Sequence, residues 1–179
     1  MTSLTFRAED HTYWLGEQRL PSVTEILDGL GFISPFSKNE ERAHVGRLVH
    51  QMLALYEAGE LDEDNLDPQL AVYLGRWKKM RHHAIPQHIE QPMYHADYGF
   101  AGTPDLVATT GKVILIVDFK TGGTTAWHGL QIGGYALLSG ASQGILAYVG
   151  DPPRLINVDL AREKRTFLAC VTVWRRKFT

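Results

Sequence analysis

The sequence predicts an α/β fold in which helices flank a mixed sheet, and three observations predict it. The run Val113-Ile114-Leu115-Ile116-Val117 has the composition of a central strand covered on both faces. Apolar residues Val45, Leu48, Val49, Met52, Leu53 and Tyr56 recur at helical spacing within 39–58. The order along the chain is helices, a three-strand meander, a helix and a strand, which suits layers packed on a sheet.

From the N-terminus, residues 4–20 carry aromatic and apolar side chains around a break at Gly16-Glu17 and read as a short hairpin. Pro21-Ser22-Val23-Thr24-Glu25 starts a helix, because Ser22 caps free backbone N–H groups and Glu25 reaches back to complete a capping box. That helix ends near Gly29 and Gly31. The amphipathic helix over 39–58 follows, then an acidic stretch over 57–67 with loop composition. Leu70, Tyr73, Leu74 and Trp77 mark a third helix over 68–83. Strands are expected at 87–96, 99–108 and 112–120, a helix at 126–140, strands at 143–149 and 155–158, and a terminal helix from Leu160. The 179 residues bury one substantial core and are short for two. They read as one domain: hairpin and helices over 1–85, a core over 86–150, and a C-terminal strand and helix over 151–179.

Composition narrows the function. A net charge of -2 excludes a protein that coats nucleic acid by bulk electrostatics, so any such contact is local. Arg162, Lys164, Arg165, Arg175, Arg176 and Lys177 gather near the C-terminus and read first as a solvated helix face, second as a phosphate-binding patch. The single cysteine, Cys170, permits neither an internal disulfide nor a four-cysteine cluster and reads as a small core residue. No apolar stretch approaches the roughly 20 residues that span a bilayer, and the N-terminus lacks a signal core, so a soluble, cytoplasmic protein without a membrane partner is expected.

The most informative feature is Gly102-Thr103-Pro104-Asp105 followed by Asp118-Phe119-Lys120. Side chains alternate across a strand, so Asp118 and Lys120 share one face and Phe119 points to the other. If the turn at 109–112 has a two-residue loop, pairing joins odd to even positions, and Asp105 lies opposite Ile116 or Asp118. In either register it emerges beside Asp118 and Lys120, within about 5 to 8 Å. Pro104 cannot donate to a ladder and implies a bulge or edge that aims Asp105 outward. Two carboxylates this close repel unless a cation lies between them. Mg²⁺ or Mn²⁺ suits such an oxygen-rich set, and the alternative is a structural salt bridge from Lys120.

Gly46 and His50 share a helix face, where glycine allows close approach and a neutral imidazole nitrogen reaches the carboxylates. The alternative is a hydrogen-bonded core histidine. His44, His82, His83, His88 and His95 show no zinc spacing and read as surface or structural residues. Gln131 and Tyr135 form a polar stripe beside Trp127 and Leu138, fit to hold a phosphate or orient Lys120, or else an ordinary helix boundary.

Taken together, Gly46-Arg47-Leu48-Val49-His50, Gly102-Thr103-Pro104-Asp105, Asp118-Phe119-Lys120-Thr121 and Gln131-x-x-x-Tyr135 resemble the PD-(D/E)XK nuclease superfamily, in its RecB-like, phage exonuclease branch. The opening, His11-x-Tyr13 with Leu20-Pro21-Ser22-Val23-Thr24, is similar to the start of phage exonucleases and of the mitochondrial genome maintenance exonuclease. The resemblance implies a restriction-endonuclease-like αβββαβ core, with 86–150 as its catalytic part. It implies a metal held by His50, Asp105, Asp118 and the Phe119 carbonyl, and Lys120 beside the attacking water. Gln131 and Tyr135 fall at supporting or DNA-contacting positions, and Glu90 at an acidic position of the first strand. Asp118 stands where many relatives carry glutamate. Iron–sulfur relatives need four cysteines, so no Fe–S cluster is expected.

The expected activity is metal-dependent hydrolysis of DNA, as an exonuclease on single-stranded or end-containing DNA in phage or prophage recombination, replication or repair. Trp127, Tyr98 and Phe100 each read first as core and second as candidates to stack on unpaired bases. The rival is a catalytically inactive DNA-binding module of the same fold. A phosphatase reading of Asp118-Phe119-Lys120-Thr121-Gly122 fails because Phe119 separates the aspartate from the lysine.

Overall fold

The computed structural model describes residues 3–33, 40–81 and 83–178. In chain order the elements are β1 (Leu4–Arg7), β2 (Thr12–Leu15), β3 (Gln18–Leu20), α1 (Val23–Gly29), α2 (Glu40–Ala58), α3 (Pro68–Met80), β4 (Ile85–Ile89), β5 (Met93–His95), β6 (Phe100–Gly102), β7 (Leu106–Thr110), β8 (Val113–Lys120), α4 (Trp127–Ser139), β9 (Gln143–Tyr148), β10 (Arg154–Val158) and α5 (Leu160–Phe178). Five strands form one mixed sheet in the order β10-β9-β8-β7-β4. Only β8 and β9 run parallel. Parallel neighbours cannot be joined by a tight turn, and α4 supplies the crossover between them.

The apolar run sits on β8, the middle strand, as its composition predicts. Cover begins at Leu115, since Ile114 at the strand entrance is exposed. Alternation sends Leu115, Val117 and Phe119 to one face, where they pack against Val49 and Leu53 of α2 and Leu74 and Trp77 of α3. Ile116 points the other way, into a cluster with Ile26 and Leu27 of α1, Ile132 of α4 and Phe167 of α5. Each such side chain contributes about 1.5–3 kcal/mol by leaving water. The helices on this second face approach closely: a Cβ at Gly133 of α4 would lie 2.6 Å from the Glu163 carbonyl carbon of α5.

The capping box that starts α1 is present: Glu25 N–H donates to Ser22 Oγ at 2.9 Å, and Ser22 N–H to Glu25 Oε2 at 3.5 Å. Three expectations need correction. The N-terminal hairpin is a three-stranded meander, β1-β2-β3, because the chain turns at His11 as well as at Gly16. Glu57, read as the start of an acidic loop, belongs to α2 and is buried. There it accepts hydrogen bonds from Trp77 Nε1 at 2.7 Å and from Arg81 Nε and Nη2 at 2.7 and 2.8 Å, pinning α2 to α3. The strands expected at 87–96 and 99–108 are each broken in two, as β4 with β5 and β6 with β7. Phe100, read first as core, is core: it is fully buried against Phe167.

Cys170 is a buried thiol, as read. Among the described residues no helix is long and apolar enough to cross a membrane.

Candidate active site

Both broken strands leave the central sheet at the same level. Glu90, just past β4, takes φ 46°, a conformation rare for residues other than glycine. Thr103-Pro104-Asp105 interrupts the other strand before β7, where Pro104 offers no N–H to a ladder. The Glu90 N–H donates to the Asp105 carbonyl at 3.1 Å, so the two bends are tied together. Beyond them β5 and β6 pair separately from the five-stranded sheet.

The β7–β8 turn has a two-residue loop, Gly111-Lys112, with Thr110 paired to Val113 and Leu106 to Val117. One further step brings Asp105 level with Asp118, the second of the two registers open to the sequence. Asp105 Oδ2 accepts the Phe119 N–H at 2.6 Å. From above, α2 brings His50, whose Nδ1 lies 3.3 Å from Asp105 Oδ1. Gly46, one turn earlier, faces the loop after β8: a Cβ there would sit 3.4 Å from Thr121 Oγ1. His50, Glu90 and Asp105 each offer a ligand atom, all within 4.8 Å of one another.

Asp118 adjoins this group and is itself 1% exposed. Its Oδ2 forms an ion pair with Lys120 Nζ at 2.5 Å. Apart from that ion pair, the buried Oδ2 has no partner among the described residues. Lys120 Nζ donates to Gln131 Oε1 at 2.8 Å, and Gln131 Nε2 donates to the Tyr135 hydroxyl at 3.2 Å. The stripe of Gln131 and Tyr135 is therefore no boundary face: both are buried, and they fix the lysine. The Phe119 ring points away, edge-on to Trp77 at 4.9 Å and to His50 at 6.2 Å.

The electrostatics follow from packing three carboxylates around two basic groups. Burial raises Asp118 to about 6 against the pull of Lys120, and Asp105 adds to the rise. Burial and then Asp105 raise Glu90 to about 7. Burial works to lower the imidazole of His50, but the Asp105 carboxylate outweighs it and leaves His50 raised to about 9. Asp105 feels strong desolvation, yet His50, Lys120 and the Phe119 N–H hold it below the usual carboxylate range. Burial, with Asp118 and Asp105 nearby, raises the Tyr135 hydroxyl well above its ordinary value.

Every residue singled out for the site from sequence thus lies at one end of the sheet. The tightest ligand-bearing group is His50, Glu90 and Asp105 rather than His50, Asp105 and Asp118. A cleft of about 970 Å³ opens onto it, walled by α2 on one side and by Phe6, Ala8 and His11 of the meander on the other. The meander's place beside the site carried no local signal in the sequence. His128 was also missed: it is buried on α4, with Nδ1 2.8 Å from the Tyr148 hydroxyl, and burial lowers it to about 3. Of the histidines set aside as surface or structural, His95 stacks on Phe100, and His82 lies outside the described residues.

The chain shares its fold with SSO0001. Its crystal structure superposes with a TM-score of 0.55 over 92% of this chain and 79% of that one, at 15% sequence identity. That likeness establishes a common α/β architecture and nothing about chemistry. No family model and no curated protein matches the sequence.

Proposed function

We propose that this chain is a divalent-metal-dependent deoxyribonuclease with a restriction-endonuclease-like αβββαβ core, acting on single-stranded or end-containing DNA. One observation carries the reading: acidic groups from adjacent strands meet a helix-borne imidazole and a half-buried lysine at one sheet end, and a buried carboxylate oxygen there has only that lysine as partner. A surface salt-bridge network gives no reason to bury two aspartates side by side with an exposed glutamate at their edge. A hard cation does, because it supplies the charge that such a cluster needs.

His50, Glu90 and Asp105 would hold the ion, with Asp118 Oδ2 and the Phe119 carbonyl as the further oxygens of the set. Oxygen donors with one imidazole fit Mg²⁺ or Mn²⁺. When bound, the ion polarises the scissile phosphate and lowers the pKa of an attacking water. Lys120 stabilises the charge that develops on the phosphate and orients the water. Gln131 fixes where that ammonium points, and Tyr135 fixes Gln131. Glycine is required at 102 because a Cβ there would come 2.8 Å from Tyr135 Cε1.

The test is cleavage of end-labelled single-stranded and duplex DNA in Mn²⁺ or Mg²⁺, with and without EDTA. Metal-dependent cleavage that Asp118→Ala abolishes supports the nuclease. Metal-dependent cleavage undiminished in Asp118→Ala removes this site as its source, and DNA binding without any cleavage favours the inactive module.

A further inference from the structure

The cleft beside the site has a divided lining. Its floor carries the polar groups His50, Glu90, Thr103 and Asp105, and the rest of its lining is mostly apolar and aromatic, with Arg47, Gln51 and Glu60 among it. Leu55 on α2 is 37% exposed and faces this space, an apolar side chain left in water. In the same lining, Phe6 and His11 meet edge to face with ring centroids 5.0 Å apart. His11 holds φ 54° in the β1–β2 turn, and its exposed ring packs on Phe6 and Tyr13 and lines the cleft. Tyr13, two residues on, ties the meander to the site through its hydroxyl, 2.8 Å from Thr103 Oγ1.

We infer that Phe6 and His11 form a nucleobase subsite, which takes one unpaired base while the adjoining phosphate lies at the floor. This rests on the nuclease reading above and assigns the single-stranded preference to particular side chains. A phosphodiester would be held at the floor through the divalent cation that the carboxylates call for, whereas aromatic and aliphatic side chains match only the face of a base. In duplex DNA those faces are covered by neighbouring pairs, so such a platform selects an unpaired nucleotide and tolerates any sequence. The residues expected to do this from sequence are otherwise engaged: Phe100 is core, Tyr98 packs on His95, and Trp127 packs on His128 with the Lys120 ammonium 5.6 Å from its ring centroid.

The experiment compares binding of oligothymidylate with an abasic strand of equal length by fluorescence anisotropy, using Ca²⁺ to slow turnover. The wild-type chain is expected to favour the base-bearing strand by about tenfold or more. His11→Gly removes the ring at a backbone conformation that glycine adopts freely, and Phe6→Leu keeps an apolar core contact without the aromatic face. Each is expected to shrink the preference. No preference in the wild-type chain, or an undiminished one in both variants, overturns the subsite. Cleavage in Mn²⁺ measured on the same samples separates the two levels: cleavage without base preference refutes the subsite alone, and absence of both binding and cleavage refutes the nuclease reading with it.

Discussion

Removing one charge from the carboxylate cluster should uncouple the fold from divalent metal. Asp105 is the residue to change, because it touches His50, the Phe119 N–H and, through its carbonyl, Glu90. A ligand that binds only the folded chain stabilises it by about 2.7 kcal/mol at a concentration 100 times its Kd. For a chain of this size that corresponds to a rise in Tm of roughly 5–10 °C. Thermal melts by circular dichroism in increasing MnCl₂ or MgCl₂ should show this rise for the wild-type chain, and Asp105→Asn should lose most of it.

The proton on His50 gives the pH dependence. Its pKa is raised in the folded chain to about 9, above the ordinary 6.5, so the ion pair with Asp105 stabilises the metal-free fold fully below about pH 6.5. That contribution, on the order of 3 kcal/mol at most, is lost as the pH rises through 9. Metal must displace the same proton, so at fixed metal concentration the rise in Tm should be larger at pH 8.5 than at 6.5. A wild-type chain indifferent to both metals, or an Asp105→Asn variant that responds as strongly, would refute the reasoning.

Further outcomes concern the groups around the cluster. Gly102→Ala should cost about 1–3 kcal/mol by overpacking against Tyr135 and lower turnover by about tenfold or more, with the metal-induced rise in Tm retained. Gln131→Leu removes the acceptor that holds Lys120, and steady-state kinetics should show kcat falling by roughly ten- to a hundredfold with KM little changed. Glu57→Ala leaves Trp77 Nε1 and the Arg81 guanidinium without their acceptor and should cost on the order of 3 kcal/mol in urea unfolding, without altering metal affinity. His128 is neutral in the fold with its pKa lowered to about 3, so protonation of the unfolded chain erodes stability as the pH falls below about 6.5; His128→Phe should flatten that decline in pH-dependent melts.

What could be read from sequence was what depends on local periodicity. The apolar run of β8, the face of α2 and the parity that puts Asp118 with Lys120 all follow from alternation or helical spacing. The two-residue loop at Gly111-Lys112 then fixes the alignment of Asp105 with Asp118. The bends at Glu90 and Thr103-Pro104 were half legible: Pro104 announced one, but a left-handed glutamate leaves no compositional trace. Glu57 misled because an acidic side chain reads as solvated until distant partners, here Trp77 and Arg81, supply its hydrogen bonds. Gln131 and Tyr135 showed their spacing but not their purpose, which depends on how far Lys120 reaches from another element. Phe6 and His11 meet the cleft only through tertiary packing, so nothing within their own turn revealed them.

The parallel pairing of β8 with β9 bears on when the assembled centre first exists. Asp118 and Lys120 lie on a strand that has only one antiparallel neighbour, β7, until α4 and β9 have been synthesised and docked on its far edge. Contacts this distant along the chain form late in folding. A nascent polypeptide halted before residue 143 would carry every acidic group of the cluster yet lack the strand that encloses them, so the assembled cluster arrives in one step once β9 has docked.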